Sequence, residues 1–356
     1  MTEKWTEWTG EPRLPEVLWH HYGIRLKDAH PSGGVLRLET DQGVFALKRV
    51  QESDALRWHL VKELGDYISE TGLIQFPVPV LTERDGIMVS GHQRRYVLLP
   101  WIKGKVYDLR TENRWPQVVR TLARFHSASK GFSPSRGMVG RWVHTGKWKN
   151  IWENLNRQIQ MFKLTADLNH EPEPVDRLWL KQSAFAEGMV ETAIQYLEKL
   201  GGDQVVLSTR KGGEACHCNL HRRNLVWDET GEVHFIDWNR LVLDVRSRDL
   251  ARLVLYAYGR TGSLEPVENI LKNYRKFAPL EEEEYSLIYA QLLFPHRLLR
   301  TLSRIYREQK VPSHLTKNDL SNSLAQEAKK EGLLREYPKL VEREFGVTMN
   351  RVDWLS

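Results

Sequence analysis

Polar side chains that could bind a metal ion or carry a proton cluster in one stretch of the chain. In order, they are His217, Asn219, His221, Asn224 and Asp237. Two short β-rich runs joined by an Asp-Glu-Thr-Gly turn separate the last two of them, which is the pattern of a hairpin. Asp237 offers an anionic oxygen and Asn224 a neutral one, and a hard cation such as Mg²⁺ prefers oxygen ligands. The stretch therefore predicts a loop, a hairpin and then a metal-binding acid, a layout suited to phosphoryl transfer.

This stretch resembles the H-G-D-x-x-x-x-N … I-D-[FW] signature of the aminoglycoside phosphotransferase and choline kinase group. His217, Asn224 and Asp237 stand at matching positions, and His221 fits the common variant H-G-D-L-H-x-x-N. The resemblance implies ATP and Mg²⁺ as cofactors, with Asn224 and Asp237 as the ligands of the metal. It also implies that a nucleotide is a partner and that a hydroxyl group accepts the phosphoryl group.

One position departs from the signature, because the chain has Asn219 where the group has its catalytic Asp. An amide cannot take a proton, although it can still orient a hydroxyl through hydrogen bonds. Loss of a general base typically costs ~10²–10⁴ in rate, so we expect a slow kinase or a nucleotide-binding protein without turnover. His221 is the alternative base, since the unperturbed imidazole pKa of ~6.5 suits that role.

The N-terminal part of the chain supplies further candidates for nucleotide binding. Lys48 lies in an apolar run typical of a strand and resembles the lysine that contacts the phosphates in kinases; the alternative is an exposed strand lysine. Gly33 and Gly34 offer flexible backbone N–H groups, although no G-x-G-x-x-G is present. Glu63 falls about where the group keeps the helix glutamate that pairs with the lysine. The other candidates for that pairing are Glu52, His59 and Glu70.

The periodicity predicts an α+β chain in which strands precede helices. We expect an N-terminal β-rich, nucleotide-binding lobe over residues 1–103 and a helical lobe with the catalytic loop and hairpin over residues 104–356. The resemblance implies the two-lobed protein-kinase-like fold, with a small antiparallel β lobe plus one helix and a large, mainly helical lobe. Predicted strands of the small lobe span 24–27, 35–39, 44–50, 86–90 and 96–100, with a turn at 30–34, a leading helix before residue 22, a helix at 54–70 and a hinge at 101–105.

The large lobe is predicted to be helical apart from the hairpin. Its expected helices span 115–127, 151–163, 176–200, 267–277, 281–309, 320–330 and 338–344. Pro338 is expected in the first turn of the last of them. We assign structural roles to His126 and to Asp249, which lies near a helix start, where it can cap the helix and hold the catalytic loop.

Composition limits the class of protein. With 356 residues and 41% hydrophobic content, the chain can bury an ample core. No apolar stretch approaches the ~20 residues that a membrane span requires, and the first residues lack a secretory signal, so we expect a protein kept inside the cell. The net charge of +6 suits anionic ligands such as nucleotides. Nucleic acid is not an expected partner, because the basic residues are scattered and no recognition motif is present.

The only two cysteines of the chain are Cys216 and Cys218. A one-residue gap would strain a disulfide between them. Together with His217 and His221 they could instead form a metal site. No second ligand pair at finger-like spacing is present, so a loop that holds small polarizable residues is the simpler interpretation.

A narrower resemblance covers nearly the whole chain. The segments at 99–104, 146–148 and 293–297 resemble the CotS-type bacterial spore coat proteins, particularly their YsxE-like branch. This resemblance implies a kinase-fold component of the endospore coat, made in the mother-cell cytoplasm, deposited in the coat and in contact with other coat proteins.

Two hypotheses about function follow, and they leave open whether the protein is an enzyme. In the first, a coat protein binds and assembles while catalysis is weak or absent, as Asn219 favours. In the second, an active kinase uses ATP and Mg²⁺ to phosphorylate a small-molecule hydroxyl. An acidic pocket in the helical lobe would favour the second hypothesis, because aminoglycosides and choline are cations.

Overall fold

The computed structural model describes residues 4–355 except 93, 112, 136, 138, 213 and 214. Its strands are β1 (Leu26–Ser32), β2 (Val35–Thr40), β3 (Val44–Val50), β4 (Val89–Ser90), β5 (Arg95–Pro100), β6 (Leu225–Trp227) and β7 (Val233–Phe235). Its helices are α1 (Lys4–Thr9), α2 (Leu14–Tyr22), α3 (Ala55–Thr71), α4 (Trp115–Ala128), α5 (Val139–Trp142), α6 (Trp148–Asp167), α7 (Pro174–Lys199), α8 (Asp203–Ser208), α9 (Ser247–Thr261), α10 (Glu265–Phe277), α11 (Glu282–Leu293), α12 (His296–Leu302) and α13 (Ser313–Phe345).

The chain divides into two compact units, each discontinuous in sequence. The first, which we call the sheet unit, comprises Met1–Asp108, Ser127–Val143 and His221–Leu241. The second, the helical unit, comprises Leu109–His126, His144–Leu220 and Val242–Ser356. The predicted N-terminal lobe, residues 1–103, lies within the sheet unit. That unit also takes in the hairpin of β6 and β7.

The sheet of the first unit is antiparallel, in the order β1-β2-β3-β5-β4. The turn predicted at 30–34 is too long, because β1 continues through Pro31, which pairs with Leu36. Proline lacks a backbone N–H and is tolerated here because β1 is an edge strand. Only Gly33 and Gly34 remain for the turn. The strand expected at 86–90 is likewise reduced to Val89–Ser90.

One face of this sheet is closed by the N-terminal helices. Leu36, Leu38 and Leu47 share a buried cluster with Leu14 and Leu18 of α2. Because side chains alternate along a strand, burial of Leu47 on this face directs Lys48 to the opposite one. The single leading helix that we predicted is two helices, α1 and α2, since the chain breaks at Gly10, which adopts a φ of 75°.

The helical unit packs its long helices pairwise. α6 lies on α7, α9 on α10 and α11, and α13 contacts α7, α9, α11 and α12. The helix expected over 281–309 is interrupted, because α11 ends at Leu293 and Pro295 precedes α12. No helix of the described chain is long and apolar enough to cross a membrane.

The C-terminal helix also corrects the sequence prediction. The two helices expected at 320–330 and 338–344 form one helix, α13, with Pro338 inside it rather than in a first turn. A proline in a helix interior costs about 3 kcal/mol. Burial of Tyr337, Leu340 and Val341 around it gains enough apolar contact to offset that cost.

Candidate functional site

The predicted hairpin is present and is fixed by its turn. Leu225 pairs with Phe235 and Trp227 with Val233. One carboxylate oxygen of Asp228 accepts hydrogen bonds from the backbone N–H of Thr230 at 2.9 Å and of Glu232 at 3.0 Å. This side-chain turn holds the register of β6 and β7, and the register fixes where the chain leaves β7 toward Asp237.

A close backbone approach joins the hairpin to the predicted hinge. The N–H of Lys105 donates to the carbonyl of Trp227 at 2.8 Å, and Trp227 returns a bond of 2.9 Å. A Cβ placed on Gly104 would lie 2.3 Å from the Trp227 carbonyl oxygen. Only glycine fits at position 104, so the hinge segment is locked to the hairpin.

Asp237 follows β7 in a backbone conformation that side chains rarely adopt, with a φ of 68°. Such residues persist where their surroundings hold them. The indole N–H of Trp238 donates to the Phe235 carbonyl at 3.0 Å, and its ring packs on Phe76 with centroids 4.2 Å apart. Arg57 of α3 donates to the carbonyl of Asn239. These contacts on both sides fix the direction of the Asp237 carboxylate.

The ammonium group of Lys48 donates to the Asp237 carboxylate. Only 13% of the Lys48 side chain and 27% of the Asp237 side chain are exposed. Lys48 also lies over the ring of Trp58 at 5.8 Å from the centroid. Burial lowers the pKa of Lys48 to about 8, and the carboxylate of Asp54 opposes that shift. Two residues placed far apart in the sequence, and both predicted from it, therefore form one half-buried ion pair.

The structure gives Glu63 a different partner from the one predicted. Its carboxylate accepts hydrogen bonds from the N–H of Ser135 at 2.9 Å and from its hydroxyl at 2.8 Å. Of the alternatives, Glu52 pairs with Arg95 at 3.1 Å. Besides its ion-pair partner Asp237, Lys48 is acted on by the charge of Asp54, directly before α3.

The two predicted phosphate-loop glycines, Gly33 and Gly34, form the turn between β1 and β2. A Cβ on either would meet no atom within 4 Å. No close approach of the folded chain therefore demands glycine at these two positions, although Gly33 has a φ of 60°. Their role in holding phosphates stays a prediction.

Asn224, the second predicted metal ligand, is buried at the start of the hairpin. Its backbone carbonyl accepts the N–H of Ile236 at 3.1 Å, which fixes it to the segment that carries Asp237. Its amide nitrogen lies 3.3 Å from Nε2 of His221. The oxygen of the same side-chain amide therefore points away from His221. One carboxylate and one amide oxygen on adjoining segments are a donor set that fits Mg²⁺.

The loop that carries Asn219 belongs to the helical unit and is held by Asp249. Its two carboxylate oxygens accept the N–H of His217 and of Cys218, each at 2.7 Å. The ring Nδ1 of His217 then accepts the N–H of Asn219 at 3.1 Å. The predicted role of Asp249 as the support of this loop is thus observed, and His217 acts by positioning Asn219.

A buried hydrogen-bond network continues behind this loop. Nδ1 of His126 lies 2.7 Å from the Tyr274 hydroxyl and Nε2 lies 3.4 Å from Asp249. Burial would raise the pKa of Asp249, but the hydrogen bonds that its carboxylate accepts, from His126 and from the backbone N–H of Cys218, lower it below its ordinary value. The structural role expected for His126 agrees with these contacts.

Among the described residues, the group with metal-ligand geometry is His126, Cys216 and Asp249. The thiol of Cys216 donates to the carbonyl of Val245 at 3.2 Å, and the other two already hydrogen-bond as above. We therefore assign the two cysteines a structural role in the loop that carries Asn219. The metal site considered from the sequence around Cys216, Cys218, His217 and His221 is not the group that the structure brings together.

Several residues that hold the candidate site carry no signal in the sequence. Asp54, Arg57 and Trp58 of the α3 region act on Lys48 or on the segment after Asp237. Arg252 of α9 donates to the carbonyl of Cys218 at 2.9 Å. A polar residue on a predicted helix carries no signal of such a distant partner, so these contacts could be found only in the folded chain.

Comparison with known proteins extends the resemblance. The family described as "Spore coat putative kinase YutH" matches residues 15–337. The endospore coat-associated protein YutH of Bacillus subtilis (strain 168) is 25% identical over 343 residues, covering 94% of this chain and 96% of that protein. Spore coat protein S of the same strain is 23% identical over 334 residues, covering 91% of this chain and 92% of that protein.

Solved structures share the fold. An aminoglycoside phosphotransferase from Alicyclobacillus acidocaldarius superposes with a TM-score of 0.68 at 18% identity, covering 92% of this chain and 96% of that one. A spectinomycin phosphotransferase, solved with ADP and spectinomycin, gives 0.59 at 14% identity, covering 90% of this chain and 98% of that one. The predicted kinase-like α+β fold and the predicted spore coat relationship are confirmed. The chain belongs to the family of spore coat putative kinases typified by YutH.

Proposed function

We propose that this protein is a nucleotide-binding, kinase-fold component of the spore coat in which phosphoryl transfer is slow or absent. The observation that carries the proposal is the half-buried contact between Lys48 and Asp237, with Asn224 hydrogen-bonded to the same segment. A purely structural scaffold has no need of a half-buried lysine and a carboxylate held at a positive φ. A nucleotide site needs both, because phosphates require cations and a metal requires oxygen ligands.

The candidate site residues of the sheet unit have separate roles in this proposal. Lys48 would bind the phosphates with its ammonium group. Asn224 and Asp237 would hold Mg²⁺, which neutralises charge on the phosphates when bound. Trp58 and Asp54 keep the ammonium group in place and charged, against the effect of its burial.

Asn219 limits the chemistry that this site can perform. His217 and Asp249 still hold its backbone in position, so the loop keeps its form although the amide cannot accept a proton. A bound hydroxyl would be oriented but not activated, and the expected cost is ~10²–10⁴ in rate. His221, the alternative base, is engaged with the Asn224 amide. That contact favours a role beside the metal ligands over one as a base.

The place of action in this proposal follows from the family. Its matched relatives carry coat names, so we place this chain in the coat after synthesis in the mother-cell cytoplasm. Other coat proteins are the expected macromolecular partners. Binding of ATP at the nucleotide site would then change the conformation of this protein or its assembly with other coat proteins.

The affinity for ATP is expected to fall as the pH rises through about 8. Phosphates bind the protonated lysine, and burial lowers the pKa of Lys48 to about 8. The amine is therefore protonated well below pH 8 and loses its positive charge as the pH rises above 8. Above this pKa, affinity should drop by up to about tenfold per pH unit. Calorimetric titration with ATP and Mg²⁺ between pH 7 and 9.5 measures this dependence of ATP affinity on pH.

The matched control is Lys48→Arg, because a guanidinium keeps its charge throughout this range. Whatever its absolute ATP affinity, this variant should show a flat pH profile above 8. A flat profile in the wild-type protein would contradict the assignment of Lys48. The same decline in Lys48→Arg would contradict it as well.

A further inference from the structure

The guanidinium group of Arg57 on α3 contacts three partners of different kinds, all within the sheet unit. It donates to the carbonyl of Asn239, pairs with a carboxylate oxygen of Asp54 at 3.3 Å, and lies 3.9 Å from the ring centroid of Trp142. Only 15% of the Arg57 side chain is exposed. Contacts on several sides leave the guanidinium group little freedom, so a change at one partner is felt at the others.

Trp142 lies at the end of α5 and is buried. Its indole N–H has no acceptor among the residues that the structure describes, so its contact with Arg57 is made by the face of the ring. A ring face attracts a guanidinium group, and the attraction grows where water is excluded. Trp142 therefore orients the guanidinium group and keeps water from it, which strengthens the hydrogen bond from Arg57 to the Asn239 carbonyl.

The chain before α5 is itself fastened along α3. The hydroxyl of Tyr67 donates to the carbonyl of Lys130 at 2.6 Å, and Glu63 accepts the two hydrogen bonds from Ser135. These contacts proceed from the C-terminal part of α3 toward its first turn. The ring of Trp142 is thus a fixed surface at the start of α3.

The carbonyl that Arg57 holds lies two residues after Asp237. Asp237 has a φ of 68°, and a side-chain-bearing residue keeps such a conformation only where its neighbours hold it. The bond from Arg57 fixes the chain on the C-terminal side of this residue. A guanidinium group that loses its orientation would release the Asn239 carbonyl, and the carboxylate of Asp237 would leave the direction in which it meets Lys48.

We propose that Trp142 is a positioning residue for the metal ligand Asp237 and that it acts through Arg57. The inference rests on the proposed function, because it concerns the Mg²⁺ ligand assigned there. Glu63, the helix residue expected to connect α3 with Lys48, has another partner. The connection from α3 to the metal-binding segment passes through Arg57 instead.

The test compares Trp142→Leu with Trp142→Phe in the full chain. Calorimetric titration gives the ATP affinity with and without Mg²⁺, and the ratio of the two affinities is the Mg²⁺ factor. Trp142→Leu should lower this factor by about tenfold, the scale of one hydrogen bond from a charged group, and should leave ATP affinity without Mg²⁺ within about twofold. Trp142→Phe keeps a ring face for Arg57 and should retain most of the factor. A loss in Trp142→Leu that is equal with and without Mg²⁺ would overturn the proposal, since it would show a structural role alone.

The matched control is Arg141→Ala. The exposed guanidinium group of Arg141 lies over the same ring, 5.0 Å from its centroid, so this variant removes a cation from Trp142 and leaves Arg57 in place. Its Mg²⁺ factor should equal that of the wild type, and a loss as large as in Trp142→Leu would overturn the proposal. In the double variant Arg57→Ala, Trp142→Leu, the factor should fall no further than in Arg57→Ala alone. A further, additive loss would overturn the action through Arg57.

A second measurement needs no nucleotide and serves also if Trp142→Leu folds poorly, because Arg57→Gln can replace it. An amine-modifying reagent is applied at one pH, and mass spectrometry gives the modification rates of Lys48 and Lys62. Asp237 holds the ammonium group of Lys48, so loss of its orientation should speed modification of Lys48 severalfold. Lys62, which pairs with Asp66 on the same helix at 2.6 Å, should keep its rate. Equal acceleration of both lysines, or of neither, would overturn the proposal.

Failure of this proposal and failure of the nucleotide proposal give different results. Mg²⁺-dependent ATP binding with an unchanged Mg²⁺ factor in Trp142→Leu overturns the positioning role and leaves the nucleotide site intact. Selective acceleration at Lys48, in a protein that does not bind ATP, supports the positioning of Asp237 and overturns the nucleotide site.

Discussion

Asn219→Asp is expected to raise the rate of ATP turnover by about 10²–10⁴-fold, the usual contribution of a general base. Asp and Asn have nearly the same shape, and the backbone N–H of residue 219 is already held by His217 at 3.1 Å. The substitution therefore adds a proton acceptor to a loop that is already positioned. Release of ADP with water as the acceptor measures the rate without knowledge of the natural acceptor.

The double variant Asn219→Asp, Asp237→Ala is the control for this gain. If the new activity uses the assigned metal ligand, the second substitution should return turnover to the wild-type level. A wild-type protein that already turns over at kinase rates would contradict the inactive assignment and favour the active small-molecule kinase. Activity in the double variant would show that the reaction occurs elsewhere.

Asp249→Ala is expected to lower the free energy of unfolding by roughly 2–6 kcal/mol, since two buried donors at about 1–3 kcal/mol each lose their acceptor. These donors are the backbone N–H groups of His217 and Cys218, each 2.7 Å from the carboxylate. Chemical denaturation followed by circular dichroism measures the loss. Asp249→Asn keeps one acceptor oxygen and should lose less.

Asp167→Ala, at an exposed position of the same unit, is the matched control and should change the free energy by no more than about 0.5 kcal/mol. If Asp249→Ala were as stable as this control, the carboxylate would not be the support of the Asn219 loop.

Most residues of the candidate site could be predicted because they lie in short motifs. Lys48, Asn224 and Asp237 could be predicted from spacing and from resemblance, and the hairpin from its turn chemistry. The partner of Glu63 could not be predicted, because Ser135 lies on a later segment that returns to the sheet unit. Such a return leaves no pattern in the local sequence.

In the helical unit, too, long-range packing could not be predicted from the local sequence. Pro338 is a strong local signal for a helix start, yet the burial of its neighbours in a helix of 33 residues overrides it. Arg252 reads in the sequence as an ordinary helix residue. Its bond to the Cys218 carbonyl depends on packing between elements that no periodicity reveals.

Thermal unfolding with ATP, with and without Mg²⁺, tests most directly whether the nucleotide site is functional. ATP at ~100 times its dissociation constant should stabilise the protein by about 2.7 kcal/mol. We expect a Mg²⁺-dependent rise in Tm that Asp237→Ala abolishes and that Asp66→Ala, at an exposed acid of α3, retains. No shift at millimolar ATP and Mg²⁺ would contradict it and leave the fold as a scaffold for coat assembly.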